Sequence, residues 1–406
     1  MADLENVLVA SVTQTHNEWA QKFAQALGIR QRVPLVINRE RFKNGDVSPV
    51  RKTDLNGKQL VITAFASPHK DPQEIIYRTG EMAESALNDY GATGVDVVMP
   101  FHLKSRQDSR EQEHPGDPKW VGKSLNLRWV VKTMKAAGVS HVLTCHVHSP
   151  LIYDIYAKVY GVVDGRQVLH EVDPAPVAVH YVKTKSSFDL TDSGRNLVVI
   201  GPDKGSWNFI DDIVRLSGLS NVPKIKMHKW RDLANDPLYI RTEIANLDEL
   251  LSAKFSFAGT SAVVFDDMAD TCGTFLRDQE KILEMARKFG WGIPKDWSFY
   301  FTHPVLGGKD YEHYQGFLIS NLKPKEIITT NTLPFIDEEQ ESSFRERCTV
   351  LRLAYLFADL YKNCTLKGGN PLEYQRFESF EQVDERVGGL YKILRDPELH
   401  FLEKPQ

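Results

Sequence analysis

Short apolar runs alternate with longer segments of helical periodicity along most of the chain. Residues 7–11, 59–64 and 262–265 have the length and composition of buried strands. Between such runs, apolar residues recur at the spacing of one helix face, as in residues 17–27 and 275–289. Buried strands that alternate with amphipathic helices are typical of an α/β protein with mostly parallel sheets.

Polar residues that are unusual for their surroundings follow the ends of the predicted strands. They are Arg106, His146, Asp203, Asp266, Thr302 and Asn331. In open parallel α/β sheets, ligands bind at the carboxyl ends of the strands. We therefore expect two domains, each a mostly parallel sheet flanked by helices, with an active site between them.

The most informative stretch is residues 261–274. Its apolar run is followed by Asp266 and Asp267, then by a short polar loop that begins at Asp270, and then by a helix that ends near Gly290. A loop that opens a helix presents unpaired N–H groups and the positive end of the helix dipole, which together favour a phosphate. Two carboxylates beside that phosphate suit the hydroxyls of a ribose. The alternative is an acidic pair that faces solvent, with Asp270 as a helix cap.

This stretch closely resembles the ribose 5-phosphate motif of the ribose-phosphate diphosphokinases, which are also called phosphoribosyl pyrophosphate (PRPP) synthetases. The resemblance covers most of residues 7–370, in separated blocks with insertions. It implies two tandem phosphoribosyltransferase-like (type I) domains. We expect a nucleotide-side domain at 1–155, a domain with the ribose-phosphate loop at 156–345, and a closing strand, helix and extension at 346–406.

The resemblance also implies the parts played by individual residues. Ribose 5-phosphate would be held by Asp266, Asp267, Asp270, Thr271, Cys272, Gly273 and Thr274. ATP would be contacted by Phe42, Asn44, Asp46, Arg106, Gln107 and Asp108. Mg²⁺ around the diphosphate would be organised by His148, Asp203 and His146. The transition state would be closed over by a mobile basic loop that carries Lys229 and Arg231.

Ordinary structural functions are open for several of these residues. Phe42 also suits core or hairpin packing, and the charged run around Arg106 also suits a solvated loop. His146 and His148 also suit a buried structural histidine. The catalytic lysine of the resemblance matches Lys229, but a slip of the alignment would shift it to Lys226.

The sequence departs from the family pattern at several places. An acidic, Pro- and Gly-rich segment at 111–118 replaces the expected nucleotide-side segment, and Ser206 replaces a glycine. Residues 161–195 fit poorly, and we expect them to form an insertion on the second domain. The segment 232–260 is longer than in the usual family member, and residues 371–406 have no recognisable counterpart.

Composition narrows the class of protein. The 406 residues are enough for two to three domains, and a net charge of −4 provides no basic field for nucleic acid. We expect no membrane span and no signal peptide, because no apolar run has the required length or position. The four cysteines are scattered without a C-x-x-C pair, which argues against a zinc site and suits a reducing, cytoplasmic compartment.

These features predict a Mg²⁺- and ATP-dependent diphosphotransferase. The anomeric hydroxyl of ribose 5-phosphate would attack the β-phosphorus of ATP, the diphosphate would move as one unit, and AMP would leave. ADP-ribose is the second candidate acceptor. A phosphoribosyltransferase and a non-catalytic regulatory homologue are the remaining alternatives. The resemblance also predicts a homo-oligomer, either a dimer or a hexamer.

Overall fold

The computed structural model describes residues 4–12, 17–29, 35–36, 38–41, 43, 47–50, 54–66, 71–107, 124–232, 236–306, 311–333 and 345–390. The strands are β1 (Val7–Ser11), β2 (Leu35–Val36), β3 (Asn38–Arg41), β4 (Val47–Val50), β5 (Gln59–Thr63), β6 (Gly94–Val98), β7 (Val139–Cys145), β8 (Leu169–Val172), β9 (Leu197–Gly201), β10 (Lys224–Asp232), β11 (Asp236–Ile244), β12 (Ser261–Ala269), β13 (Asp296–Pro304), β14 (Glu326–Thr330) and β15 (Cys348–Leu351).

The helices are α1 (Asn17–Leu27), α2 (Pro72–Asn88), α3 (Asn126–Ala136), α4 (Leu151–Tyr160), α5 (Ala175–Thr184), α6 (Thr191–Gly194), α7 (Lys204–Ser217), α8 (Leu247–Ser252), α9 (Gly273–Phe289), α10 (Tyr311–Phe317), α11 (Ala354–Leu360), α12 (Pro371–Tyr374) and α13 (Phe380–Val383). Wider π-type turns continue three of them, at Leu318–Leu322, Tyr361–Thr365 and Asp384–Gly388. No helix in the described ranges is long and apolar enough to span a membrane.

The first sheet is parallel throughout its described strands, which lie in the order β2-β1-β5-β6-β7-β8. Alternate residues of β1 point to opposite faces. Val7 and Val9 belong to the core that contains α1, whereas Leu8 and Ala10 belong to the core that contains α2. Because helices cover both faces, β1 is a continuous apolar run rather than an alternating one.

The second sheet has the described order β11-β10-β9-β12-β13-β14-β15, and β11 is antiparallel to its neighbour. Val199 and Val263 belong to the core on the α7 side, and Val198 and Val264 belong to the core on the α9 side. The two sheets thus have the α/β architecture predicted from the sequence. A separate antiparallel hairpin joins β3 and β4.

One hydrophobic core is shared by the two sheets. Helix α11 follows the last strand of the second sheet but packs against α1 of the first. The rings of Trp19 and Phe357 lie 5.4 Å apart, and those of Phe23 and Tyr361 lie 6.0 Å apart. Aromatic pairs at these distances add to the free energy gained by burying their area. The closing helix therefore holds the two sheets together.

The C-terminal extension, which has no counterpart recognisable from the sequence, also contacts both halves. Gln375 donates a hydrogen bond of 2.7 Å to the carbonyl of Glu171, which lies on β8. Arg215 on α7 donates one of 2.8 Å to the carbonyl of Phe377. The extension thus braces the edge of the first sheet against a helix of the second.

The last strand of the first sheet lies beyond the predicted domain boundary at residue 155. Strand β8 pairs with β7, and the second sheet begins at Leu197. The prediction that residues 161–195 form an insertion on the second domain is therefore wrong for β8, whereas α5 of the same segment packs against α7. The strand was obscured because two of its four residues, His170 and Glu171, are polar although the strand is largely buried. At the other end, β15 belongs to the second sheet and lies past residue 345.

Strand β10 forms half of a hairpin with β11 that continues past the end of β9. Residues 224–226 pair with β9, whose last residue is Gly201, and residues 227–232 pair with β11. The expectation of a loop over these residues is therefore wrong, because Lys224–Asp232 is a strand. Ile225 and Met227 are buried and alternate with basic residues, which is the period of a strand, whereas the loop is an expectation drawn from the family resemblance. Within the long segment 232–260, residues Asp236–Ile244 form the second strand of this hairpin.

Candidate active site

The carboxyl end of β7 turns sharply at His146, whose φ of 42° lies in the left-handed region. The N–H of His146 donates to the carbonyl of Val172, and the N–H of Val147 donates to Glu171 at 2.8 Å. Glu171 also accepts a hydrogen bond from the hydroxyl of Tyr153. Burial raises the pKa of Glu171, while these two donors oppose the rise. The edge strand β8 therefore fixes the backbone that carries His146 and the residues after it.

Thr302 and His303 on β13 contact the same turn, and Thr332 contacts His303; together with His146, we call these residues the inter-sheet junction. His146 Nδ1 lies 2.7 Å from Thr302 Oγ1. His303 Nε2 lies 3.1 Å from the carbonyl oxygens of Cys145 and His146, so it carries the donated proton. His303 Nδ1 lies 2.9 Å from the hydroxyl of Thr332. Burial lowers the pKa of His303 to about 4, so the junction is neutral.

The two acidic residues of β12 have different surroundings. The strand continues past them to Ala269, because the ladder with β13 includes Ala269 paired with Pro304. Asp267 Oδ2 lies 2.6 Å from Nδ1 of His148. Burial alone would raise the pKa of Asp267, but the hydrogen bond and charge of His148 hold it at about 2. Asp267 is therefore an ionised acceptor.

Asp266 is the neighbour that resists ionisation. Its side chain is buried, and burial raises its pKa well above the ordinary value. The charges of Asp267 and Asp203 raise it further, while the charge of Lys229 opposes them. Two adjacent carboxyls whose environments push their pKa values apart are a feature of functional sites rather than of a solvent-facing pair.

The residues 270–274, which we call the phosphate loop, lead into α9. The helix begins at Gly273, and no side chain caps it, so the alternative of Asp270 as a helix cap is wrong. Cys272 precedes the helix with a φ of 58°, and its thiol is buried, so it contributes backbone rather than sulfur. A Cβ on Gly273 would meet nothing closer than Arg277 at 3.6 Å. Packing within the protein therefore does not require the glycine, whereas close approach by a ligand does.

Lys229 lies on the hairpin and forms an ion pair with Asp278 on α9. Its ammonium is 2.8 Å from Asp278 Oδ2. Burial raises the pKa of Asp278 to about 6, and the charge of Lys229 opposes the rise. The charge of the same ammonium lowers the pKa of Asp266, so Lys229 lies near the acidic pair, and its catalytic function stays a prediction. Arg231 lies two residues further along β10, and its side chain is outside the described part of the structure.

The predicted nucleotide residues are described only in part. Arg106 forms an ion pair with Asp270 and so joins the first domain to the phosphate loop. Gln107 accepts a hydrogen bond of 2.6 Å from Asn126 at the start of α3. The other predicted ATP contacts lie outside the described residues: Phe42, Asn44, Asp46 and Asp108.

The three predicted metal-site residues point to separate partners. His146 contacts Thr302 and His148 contacts Asp267. Asp203 caps α7 in a reciprocal pair of hydrogen bonds with Ser206, the residue that replaces the family's glycine. Among the described residues, no group of three or more His, Cys, Asp or Glu is arranged to hold a metal ion. The structure therefore does not bring His148, Asp203 and His146 together as one protein-only metal cluster.

Two residues of the site were not identified from the sequence. Glu171 was hidden in a segment that we assigned to an insertion. Asp278 carried a detectable signal, because it shares the apolar face of α9 with Phe275 and Ile282. A charged residue on such a face needs an oppositely charged or hydrogen-bonding partner. The hydrophobic period does not identify that partner.

Comparison with known proteins finds distant similarity over most of the chain. No family model matches. A ribose-phosphate pyrophosphokinase of Bacillus caldolyticus is 23% identical over 345 residues, which are 84% of this chain and 90% of that protein. Ribose-phosphate pyrophosphokinase 4 of Saccharomyces cerevisiae is 22% identical over 336 residues, 79% of this chain and 82% of the yeast protein.

A solved structure is similar over nearly the whole chain. The phosphoribosylpyrophosphate synthetase of Mycobacterium smegmatis aligns with a TM-score of 0.64 and 19% identity. The alignment covers 90% of this chain and 100% of that one. The fold class predicted from the sequence is therefore confirmed.

Proposed function

We propose that this chain, a divergent homologue of the ribose-phosphate pyrophosphokinases, transfers the diphosphate of ATP to the anomeric hydroxyl of ribose 5-phosphate. The products are PRPP and AMP. The observation that supports this most directly is the ionised Asp267 and its neighbour Asp266 on the strand that leads to an uncapped helix N-terminus. This arrangement suits a sugar with two hydroxyls and one phosphate.

Each part of the acceptor has matching groups in this proposal. Asp267, held by His148, accepts hydrogen bonds from the ribose hydroxyls, and Asp266 assists it. The N–H groups at the start of α9 and the hydroxyls of Thr271 and Thr274 hold the 5-phosphate. Positioning of this kind supplies most of the catalysis in phosphoryl transfer, because little covalent chemistry is left to the protein.

The transferring diphosphate requires positive charge. Lys229 supplies it from the hairpin in this proposal, and Arg231 is proposed to join it. The charges of Asp203 and Asp267 both raise the pKa of the buried Asp266, and a divalent cation would relieve this repulsion. Asp203 and His148 would hold Mg²⁺ together with the ATP phosphates, and the ion would neutralise the charge that develops on the diphosphate. Mg²⁺ commonly binds through one or two protein groups plus substrate phosphates, so a protein-only cluster is not required.

ATP lies on the side of the first domain in this proposal. Arg106 and Gln107 are its described contacts, and Phe42, Asn44, Asp46 and Asp108 stay predictions. The homo-oligomeric state and the cytoplasmic location also stay predictions. ADP-ribose stays the second candidate acceptor, although no feature of the described site favours it over ribose 5-phosphate.

The test is to incubate the purified chain with ATP, Mg²⁺ and ribose 5-phosphate and to resolve the products by ³¹P NMR. We expect AMP and PRPP in equal amounts and no ADP. Formation of ADP would instead indicate single-phosphoryl transfer. Absence of AMP with every ribose phosphate would favour the regulatory alternative. Release of diphosphate from added PRPP and a nucleobase would indicate a phosphoribosyltransferase.

The same assay with ADP-ribose in place of ribose 5-phosphate shows which of the two is the better acceptor. A tenfold higher kcat/KM for ADP-ribose, about 1.4 kcal/mol of transition-state binding, would replace ribose 5-phosphate as the proposed acceptor. ATP and Mg²⁺ without any acceptor serve as the control for background hydrolysis.

A further inference from the structure

Asp278 is a charged side chain in an apolar environment. It is fully buried on the face of α9 that also carries Phe275 and Ile282. No hydrogen-bond donor of another described residue reaches either of its oxygens apart from the ammonium that pairs with it. A buried carboxylate without a partner is strongly unfavourable. Asp278 caps no helix, and the cation in contact with it compensates for its burial.

That cation is Lys229, and its backbone is already fixed. Lys229 pairs with Thr242 in the hairpin ladder, beyond the point where β10 leaves β9. Its side chain lies on the same side of β10 as the buried Ile225 and Met227, and 16% of it is exposed. The ammonium nitrogen itself is buried, and its charge acts on Asp266, so it lies beside the acceptor site.

The opposite face of β10 provides an internal comparison. Lys224 and Lys226 both pair with Asp211, at 2.6 and 2.7 Å, but 39% of that carboxylate side chain is exposed. An exposed pair restrains a lysine weakly, because water competes for both charges. The Asp278 carboxylate has no such competition. It therefore restrains the four-carbon stem of Lys229, which would otherwise sample many rotamers.

We infer that Asp278 is a positioning residue that holds the Lys229 ammonium beside the acceptor site for diphosphate transfer. The inference rests on the proposed function. In this chain a strand and a buried carboxylate together provide the ordering that closure of a mobile loop would provide. Loss of the carboxylate charge leaves Lys229 present but disordered, which lowers turnover more than acceptor binding.

The kinetic test compares Asp278→Asn with Asp211→Asn, which releases the lysines on the other face of β10. Asp278→Asn should lower kcat by about tenfold to a hundredfold, the loss expected when a catalytic group is misplaced. Its KM for ribose 5-phosphate should stay within threefold of wild type. Asp278→Glu, which restores the charge, should recover part of kcat. Asp211→Asn should leave kcat unchanged.

The same substitution in a protein that lacks Lys229 distinguishes a positioning function of Asp278 from a purely structural one. In Lys229→Ala protein, adding Asp278→Asn should cause no further loss of kcat, because the residue through which Asp278 acts is already gone. An equal fold loss in both backgrounds would overturn the inference and assign Asp278 a purely structural function.

A measurement without activity keeps the inference testable if a variant does not fold or the chain forms no AMP. Lysines are labelled by reductive ¹³C-methylation, and the Lys229 signal is assigned from its absence in Lys229→Arg. In the wild type, the Lys229 signal should have a chemical shift and a relaxation rate distinct from those of Lys226, because its side chain is restrained by a buried partner. The same chemical shift and relaxation rate for both lysines would overturn the inference. A distinct Lys229 signal without AMP formation would reject the proposed function alone and leave the placement of Lys229 standing.

Discussion

The inter-sheet junction and the hairpin side hold the candidate site by different interactions. At the junction, neutral histidines and threonines fix a backbone turn through hydrogen bonds between the two sheets. On the hairpin side, one buried ion pair fixes a side chain. The site is therefore preorganised in two ways. Uncharged hydrogen bonds fix its backbone geometry, and the buried Lys229–Asp278 pair fixes the position of a positive charge.

The largest expected effect comes from the residue between these two regions. Asp267→Asn should lower kcat/KM for ribose 5-phosphate by about a thousandfold, because hydrogen bonds from two hydroxyls to a charged acceptor contribute about 1.5–3 kcal/mol each. Thermal unfolding should change little, because asparagine keeps the shape of a partly exposed side chain. AMP release measures the first quantity and differential scanning calorimetry the second. Unchanged kinetics would remove the acidic pair from the mechanism.

Breaking the ion pair tests the hairpin side of the comparison. Lys229→Ala should lower kcat by about 10²–10³, the scale for removing one preorganised stabiliser of transition-state charge. It should also lower the free energy of unfolding by about 3 kcal/mol, because a buried carboxylate loses its cation. AMP release and urea unfolding measure the two quantities.

Lys226→Ala is the matched control on the other face of the same strand. It should leave kcat unchanged and lower the free energy of unfolding by less than about 1 kcal/mol, because its partner is exposed. If Lys226→Ala abolishes activity while Lys229→Ala is silent, the assignment of the catalytic lysine shifts by three residues.

At the inter-sheet junction, the stability of the protein should depend on pH, because protonation would place a charge on a buried neutral histidine. Burial holds the pKa of His303 at about 4, against 6.5 for an ordinary histidine, with His146 and Asp267 as the nearby charges. Between these values the unfolded chain binds the additional proton, so stability falls as the pH drops. Wild type should lose about 2 kcal/mol more than His303→Gln between pH 7 and pH 5, measured by urea unfolding. Equal losses would mean that His303 is protonated in the folded protein.

The smallest effect is expected for the ion pair between Arg106 and Asp270. Half of the Arg106 side chain is exposed, so Arg106→Ala should lower the free energy of unfolding by less than about 1 kcal/mol, and the difference should shrink in high salt. Urea unfolding at low and high salt measures both. A loss of several kcal/mol would show that this contact, rather than the neutral junction, holds the two domains together.

Most of the local structure could be predicted from the sequence alone. Strand β1 and helix α1 have the predicted bounds, because burial of an apolar run or stripe is a local property of the chain. The order of strand, acidic pair, polar loop and helix around β12 was also readable, since each part has its own residue types. The charge alternation of β10 is also present in the sequence, although the family resemblance predicts a loop there.

Contacts between residues that are distant in the chain could be identified only from the tertiary structure. It assigned β8 to the first sheet, paired Glu171 with the turn after β7, and placed Asp278 of α9 against Lys229 of the hairpin. It also separated the two neighbouring acids, which the sequence presents as equivalent: one lies against His148, and the other is buried beside Asp203. Burial and charge at each atom depend on elements far away in the chain, and periodicity along the sequence carries no record of those contacts.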